Sequence, residues 1–298
     1  MADSKKTVLV TGATGNQGGA VANELLSGGR YRVRTLTRKP DSEKALALKS
    51  RGAEVVVGDL NDEASLTKAM QDAWGVFAVQ NTWEAGVEGE EEQGHRQART
   101  AKAAGVQHYV YTSVASADRK TGIPHFENKW RIEGTVRSLG FPSHVILRPV
   151  FFMENLSSPW FKPAIDQGQL AMAVKPETRL QMIAVEDIGK YGSWAFDQHE
   201  RLNRREIDIA GDELTMPETA RVLSQATGHA VAFAPPPIEA VRQGSADFAA
   251  MLEWFDRVGY DADIVALRRD FSEVRLRSFA DWARAFDWSV LERTSPVA

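Results

Sequence analysis

Val8-Leu9-Val10-Thr11-Gly12-Ala13-Thr14-Gly15-Asn16-Gln17-Gly18-Gly19 joins a short apolar run to a glycine-rich turn. Val8 to Val10 read as a buried strand. The amphipathic stretch that follows, through Val21, Leu25 and Leu26, reads as a helix. Strand, turn and helix N-terminus together make a phosphate cradle. In it, free backbone N–H groups and the positive end of the helix face an anion. Gly12 permits the sharp turn, Gly15 the approach of a pyrophosphate, and Gly18 close packing of helix on sheet. The spacing Gly-x-x-Gly-x-x-Gly is one residue longer in its first gap than the commonest dinucleotide fingerprint. Ordinary turns also contain spaced glycines. The strand before these and the helix after them make dinucleotide binding the expected role.

The next strand sharpens the ligand. Tyr31 to Thr37 alternates Tyr, Val, Thr and Thr with Arg and Leu. NAD-preferring sites carry an acid about 20 residues past the glycines, where it accepts from the ribose hydroxyls. That place holds Thr37-Arg38-Lys39, with no acid until Asp41. A guanidinium suits the extra 2′-phosphate of NADP, because its planar donors clasp phosphate oxygens. Read the other way, Arg38 and Lys39 are solvated charges at a strand end. NADP(H) is the expected cofactor, with NAD(H) as the alternative.

Strand-like runs recur near 7–11, 31–37, 53–57, 75–80, 107–112 and 143–148, with helix-like stretches near 17–29, 42–51, 62–72, 90–104 and 126–139. This alternation predicts an α/β fold: a Rossmann-type doubly wound parallel sheet with helices on both faces. Ligands of such sheets sit at the carboxyl ends of the strands. The positions to watch are therefore Gly12–Gly18, Thr37–Lys39, Gly58-Asp59-Leu60, Gln80-Asn81-Thr82, Thr112-Ser113 and Arg148-Pro149-Val150. Asp59 suits an adenine amino group, or else serves as a turn or cap residue.

Composition narrows the class. The chain has 298 residues, a net charge of -4, 43% hydrophobic residues and no cysteine. The charge argues against a general nucleic-acid binder. Lack of cysteine removes disulfides, thiolate catalysis and cysteine metal sites. Six histidines without tight ligand spacing predict no structural metal. Met1–Lys6 show no apolar signal core, and no apolar run reaches membrane length. The cytoplasm is the expected compartment, and no membrane partner is expected. Glu84, Glu88, Glu90, Glu91 and Glu92 read as a solvated acidic cap just before a helix.

The rhythm changes after residue 150. Phe151, Phe152, Trp160 and Phe161 form an aromatic stretch, and strand-like Arg205–Ala210 follows later. Thr215-Met216-Pro217-Glu218 reads as a capping box opening a helix to about Thr227. Pro235–Pro237 lead into a mainly helical tail, whose aromatics (Trp254, Phe255, Tyr260, Phe271, Phe279, Trp282, Phe286 and Trp288) read as core. The expected division is a Rossmann domain over 1–150, completed by about 186–212. A smaller substrate or partner domain takes 151–185 and 213–298.

Several motifs carry a family resemblance. They are Val10–Gly18, Val57-Gly58-Asp59-Leu60-Asn61-Asp62, Val76–Asn81, His108–Ser113, His125-Phe126-Glu127-Asn128-Lys129 and Arg148–Asn155. Together they resemble the NmrA-like group of atypical short-chain dehydrogenases/reductases, over nearly the whole chain. The resemblance implies a Rossmann domain, a smaller C-terminal domain and NADP(H) between them. It implies cofactor contacts at Gly12, Thr14, Gly15, Asn16, Gln17, Gly18, Arg38, Lys39, Asp59, Leu60, Gln80, Asn81, Thr112, Lys129, Pro149 and Phe152. Members of the group divide between negative regulators or redox sensors and hydride-transferring reductases.

Full short-chain dehydrogenases use a serine, a tyrosine and a lysine four residues after the tyrosine. Here Ser113 matches the serine, His125 stands at the tyrosine position and Lys129 follows four later. A histidine can still move a proton near neutral pH. Ser113, His125 and Lys129 are therefore the catalytic candidates. The expected function is an NADP(H)-binding, redox-responsive regulator with a protein partner. The alternative is an NADPH-dependent reductase of a small apolar or quinone-like substrate that uses Lys129.

Overall fold

The structure, a computed structural model, describes residues 5–289. Met1–Ser4 of the segment read above for a signal core, and 290–298 of the C-terminal domain, lie outside them. The strands β1 (Thr7–Val10), β2 (Arg32–Thr37), β3 (Glu54–Val57), β4 (Gly75–Ala78), β5 (His108–Thr112) and β6 (Ser143–Pro149) alternate with helices. The helices are α1 (Asn16–Gly28), α2 (Glu43–Ser50), α3 (Glu63–Met70), α4 (Thr82–Ala103) and α5 (Pro124–Ser138). The sheet runs 205–209, β6, β5, β4, β1, β2, β3, and every pairing among β1–β6 is parallel. The order reverses between β1 and β4, which is where such sheets open a ligand crevice.

The central strands β1 and β4 are apolar on both faces because helices cover both. Val8, Leu9 and Val10 are fully buried, as are Val76, Phe77 and Ala78. Tyr109 stacks on Phe141 with centroids 4.7 Å apart. Helix Val185–Asp197 approaches α1 closely. A Cβ on Gly189 would lie 2.8 Å from the Ala20 carbonyl carbon, and one on Gly192 would lie 2.5 Å from Val21.

The chain forms two compact units. The first runs to Ser113 and takes in Asn128–Arg148 and Ile188–Ile207. The second takes in Val114–Glu127, Pro149–Asp187 and the chain from Asp208 onward. It holds a three-stranded sheet (212–215, 179–183, 151–152) and a run of helices that includes Met216–Thr227 and Ala246–Arg257. The capping box forms as expected: Glu218 N–H donates to the Thr215 hydroxyl at 3.3 Å and Thr215 N–H to Glu218 at 2.8 Å. Most of the tail aromatics are core, while Tyr260, Phe286 and Trp288 are only half-buried. Trp254, Phe255, Phe279 and Trp282 are buried, and Trp254 packs edge-on against Tyr260 at 5.6 Å.

One expectation is corrected. α4 starts at Thr82, capped by Asn81, so Glu84–Glu92 lie inside the helix rather than ahead of it. The helix breaks once, at Gly86 (φ 75°). The acidic run lacks apolar periodicity because its inward face is filled by Glu90, Gly94, Gln97, Ala98 and Ala101. Glu90 is fully buried, so it is no solvated cap.

At the amino ends of the strands, Trp74 stacks on His108 at 5.8 Å and meets His199 edge-on at 5.0 Å. His108 donates from Nε2 to the Ala195 carbonyl at 3.1 Å and lies 2.9 Å from the Ser143 hydroxyl. Burial first, and then the neighbouring His199, push the imidazole down from 6.5 to about 3. The unfolded chain takes up a proton below 6.5 that the folded chain refuses until about 3. Stability should therefore fall as pH drops through that window, by up to about 1.4 kcal/mol per pH unit. His108→Gln keeps hydrogen-bonding groups and removes the titration. Denaturant unfolding at about pH 7 and about pH 5 should show a shallower loss for the variant. Equal losses would acquit His108.

Candidate functional site

The site grows from the end of β1. Thr11 is fully buried, and its N–H donates to the Phe77 carbonyl at 3.1 Å. Its hydroxyl accepts from Val79 N–H and from the Gln97 side-chain amide, each at 3.0 Å. Gln97 in turn accepts from the Gln80 amide. This buried polar line pins the turn to the end of β4. Gly12 then takes φ +59°, in the left-handed region, and its carbonyl accepts from Gly15 N–H at 2.9 Å as the chain turns. Gly12 and Gly15 are exposed, while Gly18 is buried. A Cβ on Gly18 would lie 2.4 Å from the Thr11 carbonyl oxygen. α1 can press onto the strand end only because Gly18 has none.

Helix α1 has Gly15 at its N-cap, no side-chain cap and no acid in its first turn. The next three helices are capped by Ser42, Asp62 and Asn81. An uncapped helix start behind exposed glycines is the condition under which a pyrophosphate fits. Among the described residues, the buried polar atoms without a hydrogen-bond partner include Gln80 Oε1 beyond β4, Ser113 Oγ beyond β5 and Asn128 Oδ1 on α5. Leaving them so is costly, and a polar ligand along the carboxyl edge would relieve it. The bare backbone and these orphaned atoms together fit a dinucleotide.

Other sequence candidates already have partners. Thr112 donates to Gln17 Oε1 at 2.7 Å, so these two buried side chains hold α1 against β5. Asn81 accepts from Trp83 N–H at 3.1 Å and caps α4. Asp59 accepts from Asn61 N–H at 2.8 Å, the turn role weighed above. The Leu60 carbonyl accepts from Arg96 at 3.0 Å. Thr14 and Asn16 are partly exposed in the turn. Arg38 and Lys39 are exposed after β2, and Arg38 donates to Glu84.

Lys129 is the most constrained candidate. Its ammonium, 3% exposed, donates to the fully buried Glu90 carboxylate at 2.6 Å. Glu90 also accepts from Asn128 Nδ2 at 2.9 Å and from Thr82. Burial pulls the Glu90 carboxyl up, but Lys129, Thr82 and Asn128 outweigh it and hold it below the usual range. In the second unit, fully buried His125 sets its Nδ1 against Asp247. Asp247 also accepts from His125 N–H at 3.3 Å. Pro149 and Phe152 belong to this unit too.

Sequence reasoning missed Glu90, Gln97, Glu84 and Asp247 as partners. A signal existed for the first two. Glu90 and Gln97 stand seven apart, in the same helical stripe as Gly94 and Ala101, where apolar residues belong.

A glycine turn at the carboxyl edge of a parallel sheet, beside the point where its strand order reverses, defines a Rossmann-type protein with a phosphate cradle. The chain belongs to the NmrA-like family, whose profile matches residues 4–291. The NmrA-like family domain-containing oxidoreductase FrzB of a Cladobotryum species is 30% identical over 253 residues, 76% of this chain and 75% of its own. NmrA, a negative transcriptional regulator solved in complex with NAD, aligns with a TM-score of 0.78 at 20% identity. That alignment covers 97% of this chain and all of NmrA. An NADPH-dependent quinone oxidoreductase of Escherichia coli, solved with NADPH, aligns with a TM-score of 0.78 at 22% identity. It covers 93% of this chain and 98% of its own. Both structures share the fold.

Among the described residues, no helix is long and apolar enough to cross a membrane. Nor does any group of three His, Asp or Glu there form a metal site.

Proposed function

We propose that this chain binds NADP(H), accepts NAD(H) as well, and acts as a redox-responsive regulator whose affinity for a protein partner follows the cofactor state. The dinucleotides held by NmrA and by the quinone oxidoreductase support the first part. The Gly12–Gly18 turn, with Thr14, Asn16 and Gln17, would cradle the pyrophosphate. Arg38 and Lys39 would meet the adenine ribose, Asp59 and Leu60 the adenine. Gln80, Asn81 and Thr112 line the same edge. Lys129 would reach the nicotinamide ribose.

The observation that carries the regulator reading is the Lys129–Glu90 pair. The buried Glu90 carboxylate holds the ammonium in place, because breaking the pair would leave a buried charge uncompensated. Lys129 is thus placed to orient a ligand. The tyrosine position holds His125 instead.

A second reading, an NADPH-dependent reductase of a small apolar or quinone-like substrate, is favoured by the His125–Asp247 contact. When bound, the reduced nicotinamide supplies a hydride. His125, oriented by Asp247, would move the proton, while Ser113 polarises the acceptor. Relatives named as oxidoreductases support this reading. Pro149 and Phe152 remain candidates for substitution in either case.

Calorimetry with NADP+, NADPH and NAD+ tests the shared part. Gly15→Val is expected to remove binding while the fold persists, because a branched side chain would stand in the cradle. Undiminished affinity would refute the cradle. A screen of quinones, followed by loss of the reduced-nicotinamide absorbance, separates the readings. The regulator reading expects no turnover. Turnover that falls about 100-fold or more in His125→Phe, with NADPH affinity kept, would establish the reductase.

A further inference from the structure

We infer that Glu84 sets the balance between the two dinucleotides, supplying from the start of α4 the carboxylate that the chain lacks after β2. The inference rests on the dinucleotide reading above. Dinucleotide sites that prefer NAD hold an acid beyond the second strand, and those that take NADP hold a cation there. In this chain the place carries Arg38 and Lys39. The fold then lays Glu84, 46 residues further along, onto Arg38 Nη2. Asp59 adds a second negative charge near the same guanidinium. The Arg38 and Glu84 side chains are 56% and 53% exposed, so a ligand can reach both.

The consequence differs for the two ligands. A 2′-phosphate brings close to two negative charges and competes with Glu84 for the donors of Arg38. A 2′-hydroxyl is neutral. It donates to Glu84 while the ion pair stays closed. Glu84 therefore disfavours NADP and favours NAD, against the bias that Arg38 and Lys39 create. Its placement is separate from the rest of α4. Glu84 lies in the single turn between the Asn81 cap and the break at Gly86. A Cβ on Gly86 would meet nothing within 4 Å, so crowding does not force that break. The positive φ does require glycine there, and it interrupts the helical register between Glu84 and the buried stripe beyond it.

Calorimetric titration of the full chain with NADP+ and with NAD+ tests this in the wild type, Glu84→Gln, Arg38→Gln and the double variant. Glu84→Gln is expected to raise the NADP/NAD affinity ratio about tenfold, and Arg38→Gln to lower it by a similar factor. In the double variant the effect of Glu84→Gln should shrink without vanishing, because competition for the guanidinium is gone while the direct contact with the 2′-hydroxyl is still lost. The ligand-free unfolding midpoint should stay within about 2 °C throughout, since an exposed pair contributes little to stability. A ratio that stays put or falls in Glu84→Gln, with both dinucleotides still binding the wild type, would overturn the role of Glu84 alone. Failure of both dinucleotides to bind the wild type would overturn the dinucleotide reading, and this inference with it.

Discussion

Gly18→Ala is expected to destabilise the chain by about 3 kcal/mol or more, a large cost for one added methyl group. The new Cβ would lie 2.4 Å from the Thr11 carbonyl oxygen and 2.5 Å from the Gly12 carbonyl carbon and oxygen. All three are backbone atoms, so no side chain can swing aside. Relief requires α1 to lift from the end of β1, and Thr11 there is tied to Phe77, Val79 and Gln97. Gly15→Ala makes the contrast. Its nearest neighbour is the Gly12 carbonyl oxygen at 3.2 Å, and its φ of −95° suits any residue. That variant should lose less than about 1 kcal/mol. Urea unfolding of the two measures the difference. Similar losses would mean that the helix does not press on the strand end as the glycine pattern implies.

Lys129→Ala is expected to cost about 3–5 kcal/mol, because it leaves the buried Glu90 carboxylate without its cation. Adding Glu90→Gln should return much of that loss. A neutral amide needs no counter-charge, and Thr82 and Asn128 remain to hold it. The dependence on pH should also change sign. In the wild type the Glu90 carboxyl is held below its ordinary 4.5, so it contributes stability above that value and loses it as acid protonates it. Without Lys129 the folded state disfavours the charge, so the variant should recover relative stability toward acid. Unfolding series at several pH values check both effects. A Lys129→Ala protein as stable as wild type, with the same acid profile, would show that the pair is not buried as described.

These two expectations differ in how far they could be read before folding. The Gly18 argument is nearly complete in the residues Val8–Gly19. An apolar run, a positive-φ turn and a helix start follow one another within twelve positions, and glycine freedom is a local property. Other local features were equally legible. The six strands lie within a residue or two of their expected places, and the Thr215–Glu218 capping box forms from neighbours three apart. α4 was misjudged for a local reason as well: Glu90 and Gln97 occupy core positions, so the apolar period that announces a helix is missing.

Which charges meet was not legible. Glu90 reaches Lys129 across 39 positions, Glu84 reaches Arg38 across 46, and Asp247 reaches His125 across 122. No periodicity links residues so far apart. The sequence by itself determined the parallel sheet, the glycine cradle and the residues at the strand ends, because apolar alternation, turn chemistry and capping act between neighbours. Only the tertiary structure decided that Lys129 is locked to a buried carboxylate and that Arg38 carries an acid. Those pairings depend on the strand order and on the crossovers that bring α4 beside β2 and α5, and they exist only once the sheet is assembled.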